Sequence, residues 1–322
     1  MPTQATISRV GDDFEVGSFG DDAGFIANRS PYTNWFGVAD GVGGWRKHGV
    51  NPAEFAFALM DRTCTVACNY DQDGAGAAVV GPEAAERAVA DNAVAGLQTA
   101  LNERALSSKG TKAELQARLA AAIGSEDDPP EGGWSPPGVV LARGFDAVVH
   151  SGEVPAGSST ACIAAVDTTT GVLSTANLGD SGYILIRRGK VVDWSVERRH
   201  SFWTPLQLTI APAGHPAFDD RPNEADLTEH KLKHGDIVML ATDGLTDNID
   251  HDELLGVLEK CGPDASSAEI AKQVVRTAAR LMTKSDRMSP FAARATDEGY
   301  CMLGGKKDDI TVCVARIRRT AM

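Results

Sequence analysis

Several things are missing from this 322-residue chain, and each absence closes off a class of protein. No apolar run approaches the roughly 18 residues a membrane helix needs, so a soluble protein is expected rather than an integral membrane one. The six cysteines include no C-x-x-C pair, and Cys64 with Cys68 would be i, i+4 neighbours on one helix. Reduced thiols in an intracellular protein are therefore expected, not a disulfide framework. Basic residues are in the minority, 31 Lys and Arg against 44 Asp and Glu, for a formal net charge of −13. That balance disfavours a surface that binds nucleic acid as a whole, while leaving room for a locally basic module. The first residues, MPTQATISRVGDDFEVG, have neither an apolar secretion core nor the Arg-rich, acid-poor character of a transit peptide. No targeting segment is expected in them, and nucleus, cytosol, mitochondrion and chloroplast all stay open as locations. H-E-x-x-H, paired Cys-His spacings and repeats of solenoid period are also absent.

What is present is an ordinary globular composition, 43% hydrophobic and 23% charged, enough for one large domain or two smaller ones. Alternating or apolar runs at 33–40, 158–167, 172–178, 182–187, 190–195, 226–232, 236–242 and 309–317 predict strands, joined by the turn-like DTTTG, LGDSG and RRGK. Helical periodicity covers 52–69, 83–105, 111–122, about 138–150, 251–259 and 266–282. Strands that come in consecutive groups predict an α+β fold with sheet-on-sheet packing. Residues 125–138, rich in Pro, Gly and acid, read as a linker.

The chemistry lies in a recurring pattern. VADGVGGW ends an apolar run at Asp40–Gly41, and DIVMLATDGLTD does the same at Asp243–Gly244. GDDA (20–23), LGDSG (178–182) and KKDDITV (306–312) add further carboxylates at strand ends, with few basic residues adjacent in sequence. Each alone is an ordinary Asp-Gly turn. Together, meeting at one end of a sandwich, they would repel one another unless they captured divalent cations. Ligation by aspartate oxygens favours Mg²⁺ or Mn²⁺ over zinc. A water between two such ions, bridged by one aspartate, becomes acidic enough to attack an ester near neutral pH.

The ordered motifs GDDA, VADGVGGW, GSSTA, LGDSG, ATDGL and DDIT resemble the metal-dependent Ser/Thr protein phosphatases of the type 2C (PPM) family, over residues 18–317 apart from an insertion. GVADGVGGWR, TANLGDSGY, TPLQLTIAP, MSPFA and GGKKDDITV are similar to the branch containing mitochondrial and chloroplast phosphatases. The resemblance implies a four-layer αββα sandwich, a phosphoprotein substrate and two Mg²⁺ or Mn²⁺ ions, with a third, weaker one. Asp40 and Asp243 would carry catalysis. Asp40 would bridge both ions, Asp21 and the Gly41 carbonyl would complete one site, Asp243 and Asp308 the other, and Asp180 with Asp243 would hold the third. Asp22 and Asp309 either orient these ligands or serve as plain turn and capping residues.

Two positions depart from the family pattern. Gly17 stands where many members have a phosphate-gripping Arg, and Val42 where many have a His proposed as general acid. Arg46 is the nearest guanidinium for a phosphate and His48 the nearest imidazole, although either could be merely solvated. Ser159 and Thr160 are expected to begin a buried strand rather than act as nucleophiles, and His200 to pack in a loop or flap. A metal-binding pseudophosphatase scaffold is the alternative these departures raise.

Residues 79–124 read as an insertion that splits the phosphatase domain into 1–78 and 133–322. Within it, SSKGTKAELQARL (107–119) resembles the SAP module, a helix-extension-helix element associated with DNA binding. Arg104, Lys109, Lys112 and Arg118 would meet DNA or RNA phosphates. The alternatives are a helical hairpin packed on the catalytic domain or a protein partner, and a nucleic-acid-binding protein in which the sandwich is only a scaffold. A monomer is expected.

Overall fold

A computed structural model of the chain describes residues 6–9, 14–28, 32–70, 136–218 and 220–318. Met1–Cys68 and Ser135–Met322 group into one compact unit, and the account below concerns that unit. The expected insertion at 79–124, its helices at 83–105 and 111–122, and Arg104, Lys109, Lys112 and Arg118 lie outside the described residues.

The strands are β1 (Thr6–Arg9), β2 (Phe14–Phe19), β3 (Asp22–Ala27), β4 (Thr33–Asp40), β5 (Gly157–Ser159), β6 (Ala161–Asp167), β7 (Val172–Leu178), β8 (Gly182–Arg187), β9 (Lys190–Trp194), β10 (Arg199–Ser201), β11 (Thr204–Pro205), β12 (Leu208–Ile210), β13 (Asp226–Lys231), β14 (Ile237–Ala241) and β15 (Val312–Arg316). The longer helices are α1 (Pro52–Tyr70), α2 (Pro136–Ser151), α3 (His251–Cys261), α4 (Ser267–Met282) and α5 (Pro290–Asp297). Two large antiparallel sheets result, one ordered β1-β2-β3-β4-β6-β7-β13 and the other β15-β14-β8-β9, beside the two-stranded pairs β10-β11 and β12-β5.

Alternation along the strands builds the layers. Tyr183, Leu185, Val238, Leu240 and Cys313 of the smaller sheet meet Phe36, Val38, Cys162, Ala164 and Leu173 of the larger one in a buried core. The alternate residues Ile184, Ile186, Met239 and Ala241 face outward, as period two requires, and are covered by Leu254 and Val257 of α3 and Ile270, Val274 and Ala278 of α4. Capping boxes at Asp250–Glu253 and Ser266–Glu269 start those two helices. On the opposite side α2 packs on β6 and β7, and α1 meets α2 through Phe55 and Phe145, ring centroids 6.4 Å apart. The αββα sandwich expected from the sequence is thus the observed architecture. No helix among the described residues is long and apolar enough to cross a membrane, and all six cysteines are free thiols.

Three expectations need correction. The linker was expected to run to residue 138, but α2 already begins at Pro136, because proline needs no N–H partner in a helix's first turn. The single strand expected at 158–167 is two, interrupted at Thr160: its N–H still donates to the Asp40 carbonyl at 3.0 Å in the register of β4 and β6, but the Asp40 N–H donates to Thr160 Oγ1 at 3.1 Å rather than to the Thr160 carbonyl. GDDA is not wholly a loop: Asp22 is the first residue of β3.

Candidate active site

Register brings the acidic strand ends to one edge of the sandwich. Asp22, opening β3, pairs across the ladder with Asp40, closing β4. Ala241, the last residue of β14, lies opposite Gly182 at the start of β8 and Val312 at the start of β15. The turn holding Asp180, the one-turn helix Asp243–Thr246 and the approach to β15 holding Asp308 and Asp309 therefore converge. Carboxylate oxygens of Asp40, Asp180 and Asp243 all lie within 4.8 Å of one another.

Asp40 is held by its backbone. Its N–H donates to Thr160 Oγ1 at 3.1 Å, and Ser159 Oγ donates to its carbonyl at 2.8 Å. Both hydroxyl residues are fully buried, so they act as pins, in keeping with the reading that they are not nucleophiles. Gly41 follows with its N–H on the Asp21 carbonyl at 3.2 Å. A Cβ on Gly41 would stand 2.5 Å from the Pro52 carbonyl oxygen and 2.6 Å from that of Asp21, so no other residue fits between these chains. Gly179, before Asp180, has φ +99° and would drive a Cβ to 2.6 Å from the Leu206 carbonyl oxygen. These contacts explain glycine at both turns in packing terms.

The remaining predicted residues surround this centre. Asp21 pairs its carboxylate with Arg46, while its N–H donates to Asp309 Oδ2 at 2.8 Å. Asp22 is buried and accepts from Thr242 Oγ1 at 2.7 Å, which ties β3 to the end of β14. Asp308 Oδ1 caps the Asp309 N–H at 3.0 Å. His48 belongs to a ring cluster, with centroids 4.6 Å from His215 and 6.0 Å from Trp45. His200, expected to pack in a loop or flap, instead lies exposed on β10, where it stacks on Phe218 at 4.0 Å and bonds Asp220 at 2.8 Å.

Basic side chains are more numerous here than adjacency in sequence suggested, because they arrive from distant segments. The Lys306 ammonium contacts Asp243, and lies 2.8 Å from Asp247 and 3.0 Å from Asp308. Arg199 from β10 is 3.2 Å from Asp180, and Arg294 from α5 contacts Asp247. Asp247 and Lys306 were missed as site residues. The signal for Asp247 was its i+4 spacing from Asp243, which puts both on one helical face. Lys306 sits two residues before Asp308, but nothing in that spacing shows that it folds back onto Asp243.

Electrostatics favour cation capture nonetheless. Burial, followed by repulsion from Asp22, Asp243, Asp180 and Asp308, raises the Asp40 carboxyl well above the usual carboxylate range. Burial and the neighbouring Asp247 and Asp180 raise Asp243 likewise, against the pull of Lys306. Asp180 is pushed up to about 6 by burial, with Arg199 and Lys306 opposing. Burial alone would lower Lys306, but Asp243, Asp247 and Asp308 outweigh it and hold the ammonium above its ordinary range. Asp180 Oδ1 is buried with no hydrogen-bond partner. A buried, unpartnered carboxylate oxygen within reach of two others is a donor set suited to a hard divalent cation.

Comparison with known proteins identifies relatives of this chain. Residues 106–318 match the family described as Stage II sporulation protein E (SpoIIE). The "Protein phosphatase PTC7 homolog" of Homo sapiens is 35% identical over 303 residues, covering 92% of this chain and 79% of that protein. The "Protein phosphatase PTC7 homolog fig" of Drosophila yakuba is 34% identical over 304 residues, covering 93% and 76%. The X-ray structure of the photosystem II phosphatase PBCP shares the fold, with a TM-score of 0.64 at 23% identity over 98% of this chain and 99% of that one.

Proposed function

Because the chain belongs to the type 2C (PPM) family of protein phosphatases, we propose that its acidic cluster hydrolyses phosphoserine and phosphothreonine in proteins with the help of two Mg²⁺ or Mn²⁺ ions. The observation that carries this reading is the convergence of Asp40, Asp180 and Asp243 oxygens within 4.8 Å. Asp40, the Gly41 carbonyl and Asp21 would hold one ion, and Asp40, Asp243 and Asp308 the other. Divalent ions held there supply Lewis-acid activation of water and charge neutralisation at the phosphoryl group.

The chain's own residues do the positioning. Ser159 and Thr160 fix both backbone groups of Asp40, so the carboxylate projects from a rigid strand end. The Arg46 side chain is 60% exposed beside Asp21, which leaves donors of its planar fork for phosphoryl oxygens. That would replace the grip missing at Gly17. Val42 offers no proton and His48 packs against other rings, so this reading leaves protonation of the departing seryl or threonyl oxygen to water.

Purified protein with Mn²⁺ is expected to release phosphate from a phosphothreonine peptide. Asp40→Asn or Asp243→Asn should lower kcat/KM by at least about 100-fold, roughly 3 kcal/mol of transition-state stabilisation. Wild-type protein that turns over no faster than these variants would contradict the proposal and favour a metal-binding scaffold.

A further inference from the structure

Beside the acidic edge the chain builds an aromatic platform. The turn between β10 and β11 carries Phe202 and Trp203, while α5 and the segment after it carry Phe291 and Tyr300. Ring centroids stand 4.7 Å apart for Phe202 and Trp203, 5.4 Å for Phe202 and Tyr300, and 5.5 Å for Trp203 and Tyr300. Phe291 is buried against Phe202 at 5.6 Å, and the Lys306 ammonium lies 5.8 Å from its centroid. Trp203 is 54% exposed and Tyr300 43%, so two rings of the cluster stay open to solvent.

Phe202 also walls a cavity of about 510 Å³, together with Glu197, Arg199, Arg294, Asp297 and Glu298. This cavity adjoins the acidic edge, because Arg199 is 3.2 Å from Asp180 and Arg294 contacts Asp247. Both guanidiniums are matched in charge, since Glu197 lies 2.9 Å from Arg199 and 3.7 Å from Arg294 in addition to those aspartates. Asp297 and Glu298 are exposed and make no ion pair among the described residues. Surplus carboxylates at a cavity next to open aromatic faces are surroundings that pair and stack a guanidinium at once.

We propose that this cavity receives an arginine of the phosphoprotein substrate, so that the enzyme selects phosphorylated sites with a basic residue close by. This assignment rests on the phosphatase reading above. Asp297 and Glu298 pair the guanidinium, and the Trp203 and Tyr300 rings stack on it. Arginine, with its planar face, suits both contacts better than the point charge of lysine. One arginine side chain separates the cavity from Asp180, and an extended peptide advances about 3.4 Å per residue, which places the selected residue roughly two to four positions from the phosphorylated one.

The test is the Mn²⁺-dependent kcat/KM of the full chain on phosphothreonine peptides with Arg, Leu or Glu placed two, three or four positions to either side. At one of these offsets the Arg peptide should exceed the Leu peptide by about 10-fold, mostly through KM, as a paired and stacked cation at a half-exposed site provides. Trp203→Ala should cut that preference about 3-fold. Asp297→Lys with Glu298→Lys should invert the order, so that the Glu peptide is preferred to the Arg peptide, which a merely structural defect does not produce. Equal turnover of all peptides, a wild-type preference for Leu or Glu, or an Arg preference that survives the double reversal overturns the inference and leaves the phosphatase reading intact. Absence of Mn²⁺-dependent turnover of any peptide overturns both.

Discussion

Asp22 is buried opposite Asp40, and folding pushes its carboxyl up to about 7 from an ordinary 3.8, chiefly by burial, with Asp308 and Asp309 adding to the shift and Thr242 and Thr311 opposing it. An acid raised in this way binds more protons folded than unfolded between those two values. Its contribution is therefore fully favourable below about pH 4 and is lost, at about 1.4 kcal/mol per unit, as pH rises toward about 7. Asp22→Asn removes the titration and keeps an oxygen for the Thr242 hydroxyl. Urea melts of the metal-free protein at pH 5 and pH 8 should show a smaller loss of stability in the variant than in wild type. An equal loss would mean that Asp22 is not the strained acid at this edge. At this scale the sequence was informative about identity and silent about surroundings. The recurrence of Asp-Gly after apolar runs singled out Asp40 and Asp243, but the burial of Asp22 depends on Thr242, 220 positions away.

The elements were legible where local pattern and tertiary role coincide. Thr33–Asp40, Val172–Leu178 and Gly182–Arg187 run over the same residues as their apolar segments, since each is buried in a sheet and stopped by Asp, Gly or Arg at a turn. β1 and β2 were not anticipated, and β3 was read in part as a loop, because they are organised by the ladder running outward from β4. Likewise α5 starts at Pro290 after Ser289, whose hydroxyl accepts from the Ala292 N–H, a capping pattern short enough to escape periodicity. The most consequential element-level link is Asn248. Its side chain joins the one-turn helix at the Gly244 carbonyl, 2.9 Å away, to both backbone groups of Lys306. Asn248→Ala removes three hydrogen bonds at a buried position and should cost about 2–4 kcal/mol in denaturant midpoint analysis. A cost below about 1 kcal/mol would show that the Lys306 loop is held by its ion pairs instead.

At the scale of the whole molecule, the sandwich is an arrangement for bringing turns from distant parts of the chain to one edge. Both sheets deliver aspartates there: β3 and β4 from the larger sheet, the β7–β8 turn between the two, and β14 and the approach to β15 from the smaller. Mutual repulsion and burial make that edge costly without cations, and Lys306, Arg199, Arg294 and Arg46 offset part of the cost from within. The sandwich class could be anticipated from grouped strands and from six ordered motifs. Of the internal cations, Arg46 was legible beside VADGVGGW and Lys306 lies two residues before Asp308, but Arg199 and Arg294 reach the site from segments whose neighbours in sequence say nothing of it. The most direct test of the account is anomalous scattering at the manganese edge from crystals of the protein grown with Mn²⁺. The account predicts two peaks bridged by the Asp40 carboxylate, one beside the Gly41 carbonyl and one beside Asp243. Manganese bound elsewhere on the molecule, with none at Asp40, would contradict it.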